Sequence, residues 1–411
     1  MKALNSSALL NPLTADTSVA VRHAPMRVLH LLPSLEARTG GVAEAVVQLV
    51  NHMGQFGCVG EVATLDHPDA PAIDRIKGRV HRLGPGRGVY GLSFGLVRWL
   101  RKHAKDYDAL IVHGIWQFHS VAAWLGVVGT RTPLFVFPHG MLDPWFQQTY
   151  RAKHIKKLLY WALAERWVFG RAQGVLFTCH TELELARSPF LSDAHPLKVT
   201  GFGIDAVPVE AMHNTALFWN AFPELIGKRV LLYFGRIHEK KGCDLLIAAF
   251  AAIAHHDPAL RLVMAGPAAP TLLADLQQQA EALGIAERIV WTGLLTGMHK
   301  WAALQAAEVF VLPSHQENFG ISVVEALAAG TPVLISNRVN ICHEVELSGG
   351  GWVYADTLEA TTETLLRWVT QTTPADREAM RVAALECFEC YFRIQKAASQ
   401  VVEVIQEARR P

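Results

Sequence analysis

The sequence has few of the features that mark secreted, membrane-spanning or disordered proteins. Its 411 residues include six scattered cysteines, too few for a disulfide framework in so long a chain, and a reducing compartment fits best. No apolar stretch approaches the ~18–20 residues of a membrane-spanning helix. Because 51% of the residues are hydrophobic and 18% are charged, packed cores are expected. We predict a globular, cytoplasmic protein, attached at most peripherally to the inner face of the cell membrane.

Other absences concern targeting and metal binding. Residues 1–25 lack the unbroken apolar run of a signal peptide and are predicted to form a loose extension. Cys387 and Cys390 form the only CxxC pattern, without a second Cys or His pair nearby to complete a zinc site. No Asp-x-Asp follows a predicted strand. We therefore expect neither a metal nor another cofactor.

The net charge is close to zero, although the two halves of the chain differ. A formal charge of +1 gives no electrostatic argument for nucleic-acid binding. Residues 1–210 carry 22 basic and 16 acidic side chains, whereas residues 211–411 carry 16 and 21. An anionic partner is therefore expected at one face of the first half or at local cations, and not over the whole surface.

Short apolar runs alternate with helical patterns along the chain. The runs are rich in Val, Leu and Ile, which is typical of parallel strands covered by helices on both faces. In the first half the predicted strands are 27–32, 61–65, 79–83, 109–113, 134–138 and 174–178. In the second half they are 229–234, 261–265, 289–292, 309–312 and 332–336. The predicted fold class is α/β, with two doubly wound, Rossmann-like parallel sheets.

The division between the two sheets is expected near residues 202–228, where the strand and helix periodicity lapses. We predict a first domain over residues 26–205, a second over residues 206–390, and a C-terminal helix over residues 391–411 that packs back on the first domain. Ligands of such sheets bind beyond the carboxyl ends of the strands. The residues that follow each strand are therefore the candidates for function.

Glycines and histidines follow strands of the first half. Gly40 and Gly41 open a helix after the first strand, where backbone N–H groups can approach an anion. His113 and His139 each end a strand and precede a glycine. Two such histidines at neighbouring strand ends are expected to line a cleft.

A formal G-x-G-x-x-G pattern occurs at Gly86, Gly88 and Gly91. After a first strand it would suggest a nicotinamide dehydrogenase. Here it follows the third predicted strand, Pro85 and Arg87 interrupt the glycines, and no acidic residue follows the next strand at the expected distance. A loop explains the pattern better.

Cations and carboxylates follow strands of the second half. Arg236 and Lys241 flank a short loop after the strand 229–234, where Arg can grip diphosphate oxygens with two hydrogen bonds and Lys adds a point charge. Glu317 lies in the loop after the strand 309–312, and Glu325 lies in the first turns of the next helix. Backbone N–H groups at the start of that helix can bind a phosphate.

These motifs resemble those of the family-4 group of retaining glycosyltransferases with the GT-B fold. The resemblance covers about residues 26–405 and rests on the Gly-Gly loop, FGRIHEKKG, LVMAGP, VWTGLL and PSHQENFGISVVEALAAGTPV. It implies two Rossmann-like domains facing a central cleft that binds a nucleotide-sugar donor. HGIW and PHGMLDPW further resemble the bacterial branch that builds exopolysaccharides and other cell-surface glycans.

The resemblance also implies roles for single residues. Arg236 and Lys241 would clamp the diphosphate, Glu325 would bind the donor ribose, and Glu317 would bind hydroxyls of the transferred sugar. His139 would be a catalytic residue next to the reacting carbon. The other expected donor contacts are Gly40, Gly41, Asn318, Phe319, Gly320 and Ile321. The residues expected on the acceptor side are His113, Trp116 and Asp143.

The implied activity is a retaining, metal-independent transfer of a hexose from a UDP- or GDP-linked sugar to a glycan acceptor, expected to be lipid-linked. Cations and a helix N-terminus would stabilise the departing nucleoside diphosphate. A non-hydrolysing nucleotide-sugar epimerase of the same fold is the alternative. It would need no acceptor.

Residues 150–171 combine basic side chains with Leu, Tyr, Trp and Phe at helical spacing. A basic amphipathic helix can lie on an anionic membrane. An ordinary surface helix whose aromatic stripe packs into the core explains the same pattern equally well. The sequence therefore leaves a peripheral membrane contact as one of two interpretations.

Overall fold

Two parallel β-sheets, one in each half of the chain, organise the fold. The computed structural model describes residues 24–36, 41–70, 75–144, 151–187, 190–191 and 195–410, and for residues 151–154 it describes the backbone alone. The predicted N-terminal extension, residues 1–25, thus lies almost wholly outside the described residues. Within them, no helix combines the length and the apolar character needed to cross a bilayer.

The first sheet has seven parallel strands. They are β1 (Met26–Leu31), β2 (Cys58–Thr64), β3 (Val80–Arg82), β4 (Ala109–His113), β5 (Leu134–Phe137), β6 (Gly174–Phe177) and β7 (Leu197–Val199). Their order is β3-β2-β1-β4-β5-β6-β7. Every residue of β4, β5 and β6 is buried, because helices cover both faces of the sheet.

Helices connect these strands in the described part of the first half. They are α1 (Gly41–Met53), α2 (Phe94–His103), α3 (Phe118–Val127), α4 (Arg151–Tyr160), α5 (Arg166–Arg171) and α6 (His180–Ala186). A π-helical segment, Trp161–Glu165, joins α4 to α5 without a break. Residues 151–171 therefore form one continuous helical segment, as the pattern of basic and apolar residues predicts.

The second sheet has six parallel strands. They are β8 (Arg229–Phe234), β9 (Leu260–Ala265), β10 (Ile289–Gly293), β11 (Val309–Leu312), β12 (Val333–Ser336) and β13 (Gly351–Tyr354). Their order is β10-β9-β8-β11-β12-β13, so the strand order reverses between β8 and β11. In sheets of this kind, ligands bind at that reversal.

The helices of the second half follow the same alternation. They are α7 (Ala216–Ala221), α8 (Cys243–Ile253), α9 (Pro270–Ala282), α10 (Gly297–Ala306), α11 (Ile321–Ala328), α12 (Cys342–Ser348), α13 (Leu358–Gln371), α14 (Pro374–Cys387) and α15 (Ile394–Arg409). The last helix, α15, returns to the first sheet. Its Val401, Val402 and Ile405 pack in one cluster with Met26 and Leu49.

The predicted fold class, two doubly wound parallel sheets, is confirmed. All eleven predicted strands occur, with ends shifted by at most three residues. The sequence did not predict β7 and β13. Each has three or four residues and lies at a sheet edge with a single neighbouring strand, so neither has the continuous buried run that reveals a central strand.

Candidate active site

Residues that follow strands of the two sheets meet in one cleft. A Cβ atom added to Gly41, at the start of α1, would lie 3.2 Å from Cδ1 of Ile321, at the start of α11. One added to Gly140, after β5, would lie 2.5 Å from Cγ of Asn318. Gly140 is therefore needed where the backbone of one domain approaches the other, and a side chain at position 41 would require Ile321 to shift slightly. Gly40, the remaining predicted glycine contact, lies outside the described residues.

Arg236 and Lys241 lie on the loop that follows β8. The buried Tyr233 donates its hydroxyl hydrogen to the carbonyl oxygen of Arg236 at 2.9 Å, while the Arg236 side chain is exposed. Lys241 forms an ion pair with Glu317. Burial, together with Lys240 and Arg236, lowers the pKa of Lys241. The carboxylate of Glu317 in contact with it favours the ammonium form, so Lys241 and Glu317 form a charged pair.

The second predicted carboxylate is also paired with a lysine. Nζ of Lys300, on α10, lies 2.7 Å from Oε1 of Glu325. Burial raises the pKa of Glu325, and Lys300 acts against that rise. Sequence reasoning missed Lys300, because it lies within a helix and does not follow a strand directly. Both glutamates thus stand beside a cation at the reversal of the strand order.

The N-terminus of α11 completes this group. Gly320 caps the helix in the left-handed region at φ 74°. Phe319 is buried between Phe202 and Phe392, with ring centroids 4.7 and 5.7 Å away. Because the Phe319 side chain packs between these two aromatic rings, only its backbone is available to contact a ligand. Asn318 donates from Nδ2 to Oγ1 of Thr178, after β6, at 3.5 Å.

His139 lies opposite, on the first domain, in an unusual backbone conformation. Its φ of 53° is left-handed, which is uncommon for a residue with a side chain. Gly140 N–H donates to Oε1 of Glu182 at 2.5 Å, and Thr178 donates its N–H and its hydroxyl hydrogen to Oε2 at 2.8 and 2.5 Å. Glu182 is buried and thereby anchors the turn that carries His139. No pattern in the sequence marks Glu182, which lies inside a helix.

The three predicted acceptor-side residues lie in different environments. His113 is buried and contacts His139, with its Nδ1 2.9 Å from the His139 Nε2, so it does not face an acceptor as predicted. Trp116, left-handed at φ 71°, donates from Nε1 to the carbonyl oxygen of Met141 at 3.0 Å. Asp143 accepts a hydrogen bond across the cleft from Nε2 of Gln316 at 3.0 Å.

Lys240 takes part in the same contact across the cleft. Its sequence context suggests a solvated charged turn, yet its Nζ donates to Oε1 of Gln316 at 3.3 Å. Burial lowers the pKa of Lys240, and Arg236 lowers it further. Because Gln316 also reaches Asp143, its amide links the loop after β8, the loop after β11 and the first domain.

Glu165, in the π-helical segment, holds the turn that carries Trp116. Its Oε1 accepts hydrogen bonds from Trp116 N–H and from the Ser120 hydroxyl, both at 2.8 Å. Its Oε2 is buried and has no hydrogen-bond partner among the described residues. Burial raises the pKa of Glu165 from the ordinary 4.5 to about 7.

Ionisation of Glu165 is expected to make stability fall as the pH rises. Between 4.5 and about 7 the folded protein retains a proton on Glu165 that the unfolded chain has lost, so the free energy of unfolding decreases across that window. Above pH 7, where Glu165 is ionised in both states, the free energy of unfolding is lowered by the full amount, at most ~3 kcal/mol. Glu165→Gln keeps the Oε1 acceptor and cannot ionise, so it should gain stability relative to the wild type as pH rises.

Urea unfolding at about pH 5 and about pH 8 checks this prediction. Glu184→Gln, an exposed change on α6, is the matched control and should show no such gain. An equal stability difference between wild type and Glu165→Gln at both pH values would contradict the assignment.

Side-chain groups that could ligate a metal ion are absent from the described residues. In that part of the chain, no three His, Cys, Asp or Glu side chains are grouped so that they could hold a metal ion. The charged groups of the cleft include Arg236, the two Lys–Glu pairs, and Lys240 and Asp143, which both contact Gln316. The arrangement can therefore bind an anion with side-chain cations and backbone N–H groups.

The chain is similar to known proteins in sequence and in fold. The D-rhamnosyltransferase WbpZ of Pseudomonas aeruginosa is 27% identical over 84% of this chain and 86% of its own length. The GDP-mannose:cellobiosyl-diphosphopolyprenol alpha-mannosyltransferase of Xanthomonas oryzae pv. oryzae is 25% identical over 82% and 85%. Among solved structures, Anabaena Alr3699/HepE in complex with UDP and glucose has a TM-score of 0.75 at 18% identity, covering 93% of this chain and all of that one (100%).

Two family models match successive parts of the chain. The model described as "Glycosyl transferase 4-like domain" matches residues 40–203. The model described as "Glycosyl transferases group 1" matches residues 220–385. The first match contains His139 and the second contains both Lys–Glu pairs. The chain therefore belongs to the GT-B glycosyltransferases, with a glycosyl transferase 4-like domain followed by a glycosyl transferases group 1 domain.

Proposed function

We propose that this glycosyltransferase is a retaining, metal-independent enzyme that moves a hexose from a UDP- or GDP-linked sugar to a lipid-linked glycan acceptor in bacterial polysaccharide biosynthesis. One observation supports the proposal above all. Arg236, Lys241 and the N-terminus of α11 lie together at the strand-order reversal, opposite His139 on the first domain. This is a site for a diphosphate with a sugar beside it.

In the proposed reaction, the anomeric C–O bond breaks and its electron pair stays on the departing phosphate oxygen. Arg236, Lys241 and the N–H groups at the start of α11 stabilise that charge. The acceptor hydroxyl attacks the same face of the sugar, and its proton passes to the departing phosphate oxygen. Glu325 would bind the ribose, and Glu317 would bind sugar hydroxyls, with Lys241 held between Glu317 and the phosphate.

The relatives support the classes of donor and acceptor. One is named for a GDP-mannose donor and a diphosphopolyprenol-linked acceptor, and a structural neighbour was solved with UDP and glucose. Both nucleotides therefore remain within the proposal. The alternative, a nucleotide-sugar epimerase, is not favoured, because the relatives reported above are named as transferases.

Nucleotide release tests the proposed function. Purified protein is mixed with UDP- or GDP-linked hexoses, with and without a bacterial lipid extract, in the presence of EDTA. We expect nucleoside diphosphate to be released only when both a donor and the extract are present, with EDTA changing the rate less than about twofold. A new nucleotide-linked sugar without the extract would indicate the epimerase, and loss of activity in EDTA would contradict metal independence.

An apolar surface of the first domain supports the membrane contact. Ile155, Leu159, Leu163 and Trp167 recur every fourth residue of the helical segment 151–171 and are exposed by 69%, 61%, 69% and 48%. Other aromatic residues of the segment pack inward, such as the buried Phe169. Each interpretation of the sequence thus describes a different face of the same helix.

The loop 87–94 extends this surface. Tyr90 stacks on Tyr160 with ring centroids 5.6 Å apart. Gly88 and Gly91 are left-handed and form a tight turn that leaves Val89 90% and Phe94 74% exposed. The residues of the G-x-G-x-x-G pattern therefore form a turn that exposes apolar side chains to solvent.

The charge around this surface supports an anionic bilayer as its proposed occupant. The segments 87–105 and 155–171 contain Glu165 as their only acidic residue, and it is buried. Their exposed basic side chains are Arg87, Arg98, Arg101, Lys102, Lys105, Lys156 and Arg166. Apolar side chains inserted among lipid headgroups and cations around them are the combination that binds such a membrane.

Co-sedimentation with phosphatidylglycerol vesicles measures this contact. Leu159→Ser combined with Leu163→Ser is expected to reduce binding at least tenfold, because two exposed apolar side chains are lost from the bilayer. Ile226→Ser, an exposed apolar change outside the surface, is the matched control. Unchanged binding of the double variant, or equal binding of the wild type to phosphatidylcholine, would overturn the proposal.

A further inference from the structure

Three histidines from neighbouring strands form a continuous ladder, His30–His113–His139. His30 belongs to β1, His113 ends β4, and His139 follows β5, and these strands are adjacent in the sheet. Nδ1 of His30 lies 2.9 Å from Nε2 of His113, and Nδ1 of His113 lies 2.9 Å from Nε2 of His139. Successive rings stack with centroids 5.2 Å apart. The ladder runs from the buried centre of the sheet to the cleft.

All three rings are neutral at physiological pH. Burial lowers the pKa of His30 and of His139 to about 3. It also lowers the pKa of His113 well below 6.5, with a further contribution from the neighbouring histidines. Each ring therefore carries one proton, on either Nδ1 or Nε2.

Two proton arrangements satisfy both contacts between the rings. If every ring is protonated on Nε2, His139 donates to His113 and His113 donates to His30. The Nε2–H of His30 is then a buried donor. If every ring is protonated on Nδ1, His30 donates to His113 and His113 donates to His139. The Nε2 atom of His30 then keeps a bare lone pair. No described residue pairs with Nε2 of His30, so the two arrangements differ in which kind of buried group is left unpaired.

The adjacent His119 shows which kind this core contains. Its Nε2 lies 3.0 and 3.1 Å from the carbonyl oxygens of His113 and Gly114. Because carbonyls only accept, this nitrogen carries the proton, and the buried Nδ1 of His119 is a bare nitrogen without a partner among the described residues. Unpaired buried N–H groups are rarer in proteins than unpaired acceptors. The arrangement with Nδ1–H on every ring is therefore favoured.

We propose that His30 and His113 are positioning residues that hold His139 as its Nδ1–H tautomer, so that His139 offers a hydrogen-bond donor, and not a base, to the sugar in the cleft. The Nε2 atom of His139 accepts the hydrogen bond from Nδ1–H of His113, which leaves Nδ1 as the ring nitrogen that can contact the substrate. The role of His139 rests on the proposed function. The tautomer of His139 does not depend on the proposed function, because the three histidines contact one another in the free enzyme.

The tautomer can be measured directly in the free enzyme. Two-bond ¹H–¹⁵N correlation spectra of the full chain labelled with ¹⁵N-histidine distinguish protonated from bare ring nitrogens. We expect His139 to show a protonated Nδ1 and a bare Nε2. In His113→Phe, which keeps a ring but donates no hydrogen bond, we expect this preference to be lost. A protonated Nε2 in the wild type, or an unchanged His139 signal in His113→Phe, would overturn the proposal.

Kinetics with a matched rescue variant test the consequence for turnover. His113→Phe should lower kcat about tenfold with KM for the donor within about threefold, as expected for one hydrogen bond stronger in the transition state. His113→Asn, whose amide N–H replaces Nδ1–H, should recover most of that loss. Equal activity of the two folded variants would contradict the positioning role. Absence of any turnover in the wild type would contradict the proposed function alone and leave the spectra valid.

Discussion

Arg236→Ala is expected to lower kcat by about 10³-fold while weakening donor binding less than about tenfold. In the proposed reaction, the exposed guanidinium of Arg236 would face the position where charge develops on the departing diphosphate. An interaction that strengthens as the bond breaks contributes mainly to kcat, and removal of one such donor typically costs ~10²–10³-fold. Steady-state kinetics with a UDP- or GDP-linked hexose, together with calorimetric binding of that donor, separate the two effects.

Two further variants sharpen this experiment. Arg236→Lys keeps the charge and loses the two-pronged geometry, so intermediate activity is expected. Glu239→Ala changes an exposed residue of the same loop and should behave as the wild type. Wild-type activity in Arg236→Ala, or a loss confined to donor affinity, would show that Arg236 does not stabilise the leaving group.

Glu182→Ala is expected to cost at least ~3 kcal/mol of unfolding free energy and most of the activity. The carboxylate of Glu182 is buried and accepts hydrogen bonds from Gly140 N–H, Thr178 N–H and the Thr178 hydroxyl. Alanine would leave three buried donors unpaired, and each costs ~1–3 kcal/mol. The left-handed turn at His139 and Gly140 would also lose its anchor, so the His139 ring would no longer be held in place.

Thermal and urea unfolding, with activity measured at a temperature where the variant is folded, check this prediction. Glu184→Ala lies on the same helix, is exposed, and should change stability by less than ~0.5 kcal/mol. A Glu182→Ala protein with wild-type stability would mean that solvent or a rearranged turn satisfies these donors. A destabilised variant with wild-type kcat would mean that Glu182 stabilises the turn but is not needed for catalysis.

The grouping of the candidate donor-binding residues could be predicted because these residues are local in the sequence. Arg236, Lys241, Glu317 and Glu325 each follow a strand or open a helix, and parallel strands bring their carboxyl ends to one edge. The spacing between strand, loop and helix therefore predicted which residues share that edge. The structure places Lys241 against Glu317 within it, a pairing that no spacing predicts.

The residues that were missed share a different property. Glu182, Glu165 and Lys300 lie inside helices, and each acts by reaching a turn or a carboxylate far away in the sequence. Their identities are ordinary for helical positions, so nothing local marks them. His113 was placed on the acceptor side because a strand-end histidine usually faces the ligand. The adjacent His30, on β1, instead draws it into a buried ladder.

The amphipathic helix illustrates the same division. The pattern of residues 150–171 predicted a helix that combines basic and apolar side chains. Whether its apolar side chains faced the core or solvent depended on how the helix docks against the sheet. In the described part of that segment Leu159 and Leu163 face solvent, whereas Val168 and Phe169 are buried.

By itself, the sequence determined the α/β class, the two parallel sheets and the loops that carry the candidate site residues, because hydrophobic periodicity and strand-end position are properties of short segments. Only the tertiary structure decided the partners of those groups. Hydrogen bonds between His30 and His113, Glu182 and Gly140, or Gln316 and Asp143 join segments 42 to 173 residues apart. Such pairs depend on the register of strands and on the contact between domains, which no local pattern encodes.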